Sequence, residues 1–115
     1  MIAVTLPIRA ESVANLREHW TKKAARTKSH RIQAWAELRA ADKEPRLIGP
    51  VTVTLTRIAP RPLDSHDNLR SSLKACADGA ADWLGVKDND PRITWSYAQE
   101  RGKPKTYAVR IEVAS

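Results

Sequence analysis

Four stretches of the chain alternate apolar and polar residues, and two repeat their apolar residues at helical spacing. Ile2 to Leu6 (IAVTL) alternates and reads as a short strand ending at Pro7. Val51 to Ile58 (VTVTLTRI) is the clearest strand. Val51, Val53 and Leu55 share one face with Arg57, and the threonines line the other. Ile93 to Gln99 (ITWSYAQ) and Thr106 to Val113 (TYAVRIEV) alternate in the same way. Between them Arg101 to Lys105 (RGKPK) reads as a hairpin turn.

The first helical pattern runs from about Ser12 to Ala41, with Val13, Leu16 and Trp20 and then Ile32, Trp35 and Leu38 in register. Its polar middle, Thr21 to Ser29, fits either a continuous helix or a basic loop. Pro45, Gly49 and Pro50 mark the loop that follows. The second helix is predicted over His66 to Leu84, with Asp64 or Ser65 as N-cap and Gly85 as C-cap. Gly79, inside that helix, permits close packing. These elements predict a single α/β (α+β) domain spanning residues 1–115, with a small mixed, largely antiparallel sheet of about four strands packed against two helices.

Composition narrows the function. The chain of 115 residues carries a net charge of +7, which makes a polyanion the expected partner. The lone cysteine, Cys76, excludes an internal disulfide and a multi-cysteine zinc site, and fits a reducing, cytoplasmic setting. It falls on the apolar helix face, so a buried thiol is expected. No apolar run approaches the roughly 20 residues of a membrane span. The first residues, MIAVTLPIRAES, are too short and too alternating for a signal peptide.

Against this basic background, Leu63 to Ile93 holds six of the thirteen acidic residues: Asp64, Asp67, Asp78, Asp82, Asp88 and Asp90. Like charges placed close together destabilise one another unless a cation lies between them. On a helical wheel Asp67, Ser71, Lys74 and Asp78 fall within a sector of roughly 60°, opposite Leu69, Leu73, Cys76, Ala77, Ala80 and Leu84. Asp64 precedes the helix, and Asp88 and Asp90 follow it. A helix of about 19 residues separates the two groups by roughly 28 Å, so the later loop must fold back, or a second subunit must contribute. Ordinary roles exist for the same residues: a cap at Asp64 or Ser65, a dipole contact for Asp67, an i,i+4 pair of Lys74 with Asp78, and turn residues at 88–90.

Lys22, Lys23, Arg26, Lys28 and Arg31 form a run with no acid between Glu18 and Glu37. Arg101, Lys103 and Lys105 form a second positive group. Such runs neutralise phosphates and make binding salt-dependent, although a lone basic stretch is more often a solvated face. Two of them flanking an acidic cluster favour nucleic acid. Trp83 and Trp95 are expected in the core, and His30 and His66 are too far apart in sequence for an obvious metal pair.

The segment from Leu63 to Ile93 resembles the RusA family of Holliday junction resolvases, common in phages and prophages. The resemblance rests on Asp64, Asp67, Asn68 and Leu69 opening a helix, then Lys74, Asp78 and Gly79, then Asp88 and Asp90 before Ile93. The first strand, the Asn15 to Trp20 segment and the closing YAVRIEV also look like the family. Two residues separate Asp64 from Asp67, where the usual pattern has one. The resemblance implies Mg²⁺ or Mn²⁺ held by Asp64, Asp67 and Asp90, with Asp88 as the alternative to Asp90. It implies Lys74 as a phosphate or transition-state contact, and a homodimer that nicks a four-way junction in the cytoplasm of a bacterial host. A basic DNA-binding module of the same fold without catalysis is the alternative.

Overall fold

The computed structural model describes residues 2–11, 20–45 and 47–115. Among them are four strands and two helices: β1 (Ile2–Leu6), α1 (Trp20–Ala41), β2 (Val51–Ala59), α2 (His66–Leu84), β3 (Ile93–Arg101) and β4 (Ala108–Ala114). The expected helix start at Ser12, with Val13, Asn15 and Leu16, lies outside the described residues. The polar stretch Thr21 to Ser29 is continuous helix. It contains no glycine or proline, and its alanines favour that state.

The sheet has the order β1-β4-β2-β3. β4 pairs antiparallel with both β1 and β2, while β2 and β3 run parallel, with Val51 opposite Ile93 and Leu55 opposite Tyr97. Parallel neighbours need a long crossover, and α2 is that crossover. The sheet is therefore mixed and largely antiparallel, as its alternating strands predict. The hairpin expected at Arg101 to Lys105 is not there. β2 lies between β3 and β4, so the turn passes across the end of β2, where Gly102 N donates to Ala59 O at 2.9 Å. The reason lies in β2, whose inward row Val51, Val53, Leu55 is buried throughout and takes the central place. Alternation identifies strands but not their neighbours.

One face of the sheet carries the core: Leu6, Val53, Leu55, Val109 and Ile111 are fully buried there. Leu69, Leu73, Cys76 and Ala80 of α2 join the same core. Burial pushes the Cys76 thiol up to about 12, so it stays protonated and serves as a small apolar residue. Ser65 caps α2 by accepting from Asn68 N at 3.1 Å, and Gly85 ends it in the left-handed conformation at φ 73°. At Gly79 the two helices meet. A Cβ there would lie 2.4 Å from Arg31 O and 2.8 Å from Ala34 Cβ, so only glycine permits this separation. Arg31 ties the helices again from outside, donating to Asp82 at 2.6 and 2.8 Å.

Candidate functional site

A cleft of about 680 Å³ opens between α1, α2 and the start of β3. The exposed stripe of α2 forms one wall, with Asp67, Arg70, Ser71 and Lys74. Lys23, Arg26, Thr27 and His30 of α1 form the other. Trp95 and Tyr97 make the floor, because inward-facing residues of β3 extend past the core beneath α2. Glu11 and Asp88 also reach it.

The return of the later acids to the helix is partial and specific. Lys74 Nζ donates to Asp78 Oδ1 at 3.0 Å and to Asp88 Oδ2 at 2.5 Å. Asp88 is thus brought beside the middle of α2, and the Trp95 indole fixes the loop there by donating to Asp88 O at 2.7 Å. Lys74 holds the Asp88 carboxyl below its ordinary value, and the two carboxylates hold the lysine ammonium above its own. Asp67 stands two turns earlier on the same face, roughly 10 Å along the axis from Lys74. Among the described residues it has no hydrogen bond or ion pair.

Asp64 and Asp90 are engaged elsewhere. Asp64 Oδ1 accepts from Asn68 Nδ2 at 3.1 Å, next to the cap. Asp90 accepts from the Arg92 side chain at 3.0 and 2.8 Å and from its backbone N–H, which hold its carboxyl down at about 2. Neither lines the cleft. The expected set Asp64, Asp67, Asp88 and Asp90 therefore divides, with Asp67 and Asp88 on the cleft. Of the basic run, Lys23 and Arg26 line the cleft, Lys22 and Lys28 are exposed nearby on α1, and Arg31 is committed to Asp82. Arg101, Lys103 and Lys105 are exposed at the far end of the sheet.

Several cleft residues escaped the sequence reading. Trp95 packs against the core, as expected, yet also lines the cleft. Tyr97 lies under Arg70, whose guanidinium sits 5.6 Å from the ring centre, and meets His66 edge-on at 6.3 Å. Burial raises the Tyr97 hydroxyl, so it remains a neutral donor. Burial, and then Arg26, lowers His30, which is neutral at pH 7. The period-two position of Trp95 and Tyr97 marks them as inward-facing; only the parallel placement of β3 under α2 carries them to the cleft.

Among the described residues no three His, Cys, Asp or Glu side chains stand close enough together to hold a metal ion. The donors present still suit magnesium, which takes oxygen ligands, keeps several waters and is commonly bound by one or two carboxylates plus substrate phosphate. No helix among the described residues is long and apolar enough to cross a membrane. No family model matches the chain, and no curated protein matches it.

Proposed function

We infer that the protein is a metal-dependent endonuclease that cuts branched DNA, in the manner implied by its resemblance to the RusA resolvases. The observation that carries this reading is the cleft itself, where an uncompensated Asp67 faces Lys23 and Arg26 across a space large enough for a backbone phosphate. In a simple DNA binder an unpaired carboxylate at that place would repel the ligand.

Asp67 would hold Mg²⁺ or Mn²⁺, with phosphate oxygens and water completing its shell, while Asp88, bonded to Lys74 farther along α2, would act on the ion through that water. The ion would polarise the phosphate and lower the pKa of a bound water. The residues of the chain supply the rest. Lys23 and Arg26 draw the strand against α1 by its charge. Lys74 lies between Asp78 and Asp88 and offers its ammonium to the charge that develops on the phosphate. The Tyr97 ring and the Arg70 above it restrict the cleft on the β3 side.

A four-way junction has approximate two-fold symmetry, which an isologous homodimer matches. Ile32 and Trp35 on α1 are 51% and 36% exposed and offer apolar surface for such an association.

One observation favours the second reading, a non-catalytic DNA-binding module. Asp78 and Asp88 are both already bonded to Lys74, which leaves Asp88 less available to a metal ion. A synthetic four-way junction incubated with and without Mg²⁺ separates the two. Paired nicks only with Mg²⁺ support the endonuclease, whereas tight binding without nicks in either condition supports the module.

A further inference from the structure

Glu11 lines more than the carboxylate cleft. It also borders a hollow of about 260 Å³ at the end of β2, beside Arg9, Arg57, Arg61 and Tyr107. Arg57 occupies an inward position of β2, in line with Val51, Val53 and Leu55, and is only 5% exposed. A buried guanidinium is costly unless its donors and its charge are met. Two of its bonds are accounted for: Nε donates to Ala10 O at 2.8 Å and Nη1 to Arg61 O at 2.9 Å. A guanidinium offers five N–H donors, and among the described residues no carboxylate pairs with this one.

The charges of the hollow do not balance. Glu11 is bonded to Arg9, which also lies 4.3 Å above the Tyr107 ring. That pair is neutral as a unit. Arg57 and Arg61 remain, and among the described residues neither forms a salt bridge, although Arg57 feels the Glu11 charge. Tying the Ala10 and Arg61 backbones together explains two hydrogen bonds of Arg57, and the Glu11 carboxylate, which also acts on Arg57, stands alone among Arg9, Arg57 and Arg61, so the hollow keeps a net positive charge. The surroundings extend the positive region. The turn bearing Lys103 and Lys105 is hydrogen-bonded to Ala59, which lines the same hollow.

We propose that the Arg57–Arg61 hollow binds a backbone phosphodiester of the nucleic-acid strand whose neighbouring portion occupies the carboxylate cleft. The Nη donors of Arg57 that Ala10 and Arg61 leave free would meet the phosphate oxygens, and Arg61 would close over the same group from the surface. Glu11, shared by both spaces, marks where the strand passes from one to the other. The assignment rests on the DNA reading above and adds a second contact point to it.

The test is fluorescence anisotropy of a labelled four-way junction without Mg²⁺, across a salt series. Arg61→Gln is expected to weaken binding about fivefold to tenfold and to reduce the slope of log K against log[salt] by about one. Arg39→Gln removes the same charge from the far end of α1, beside Trp35, and should stay within about twofold of wild type. Arg57→Lys, checked for folding by circular dichroism, keeps the charge but loses the fork, and should weaken binding about threefold. Equal affinities for Arg61→Gln and Arg39→Gln, with wild-type binding intact, overturn the hollow as a phosphate site and leave the nuclease reading standing. A wild-type chain that binds no junction overturns both.

Discussion

The two walls of the cleft are built differently. The α2 wall is part of the core: Leu69, Ser72, Leu73, Ala75, Cys76, Ala77, Gly79, Ala80, Ala81 and Trp83 are all buried. The α1 wall is fastened by its second half, where Ala34 and Leu38 are buried, while residues 21–29 stand largely in solvent. Asp67 and Lys74 thus ride on an element fixed by close packing, with Asp88 tied to it by Lys74, and the exposed lysines of α1 on one that has little packing to lose. Groups that must meet a reacting phosphate within fractions of an ångström belong on the first kind of element. Groups that only supply charge along a backbone tolerate the second.

A change on the fixed wall should have the largest effect. Lys74→Met removes the cation between Asp78 and Asp88 and leaves the core untouched. Junction nicking should fall by about a hundredfold, the usual result of removing one transition-state charge partner. Single-turnover rates at saturating protein measure this apart from affinity.

Gly79→Ala tests whether one wall positions the other. The new methyl would meet Arg31 O and Ala34 Cβ, so α1 must move away or α2 must shift. A loss of about 1–3 kcal/mol in chemical denaturation is expected, of the size found for overpacked cores. Unchanged stability would mean that α1 adjusts without strain.

On the loosely held wall the effect is smaller and depends on salt. Reversing Lys22 and Lys23 to Glu should weaken junction binding. It should flatten the dependence of log K on log[salt] by about one unit for each phosphate no longer neutralised, with little change in thermal stability. An unchanged slope assigns these residues to a solvated face.

The smallest effect concerns Asp90, which stands outside the cleft. Its folded pKa of about 2 lies below the ordinary carboxylate value, so its bond to Arg92 contributes stability above pH 4. That contribution fades as pH falls from about 4 towards 2. Carboxyl NMR should find Asp90 titrating near 2, and Arg92→Gln should return it towards the ordinary value while nicking stays unchanged.

Much of this arrangement was legible in the residues. The strand alternation, the Ser65 and Gly85 caps, the apolar stripe of α2 and the close approach at Gly79 follow from local chemistry that acts over a few residues. The order of strands does not. RGKPK has the composition of a hairpin turn, and only the pairing of β2 along both of its edges separates β3 from β4. The acids show the same division. Asp67 on the exposed face of α2 is a consequence of helical period, whereas the choice between Asp88 and Asp90 depends on which cation each finds. Arg92, two residues away, takes Asp90, and Lys74, fourteen residues away, takes Asp88. The arginine hollow was hidden because Arg57 sits in a strand pattern where an apolar residue is expected.

Asp67 serves chemistry on this reading, and the α1 wall serves binding. Both can be measured on one substrate, with wild type and Asp67→Asn compared on a four-way junction in Mg²⁺. Asp67→Asn should abolish nicking and bind the junction as tightly as wild type or more tightly, because a repulsive charge is gone. Cleavage by Asp67→Asn at the wild-type rate would contradict the account.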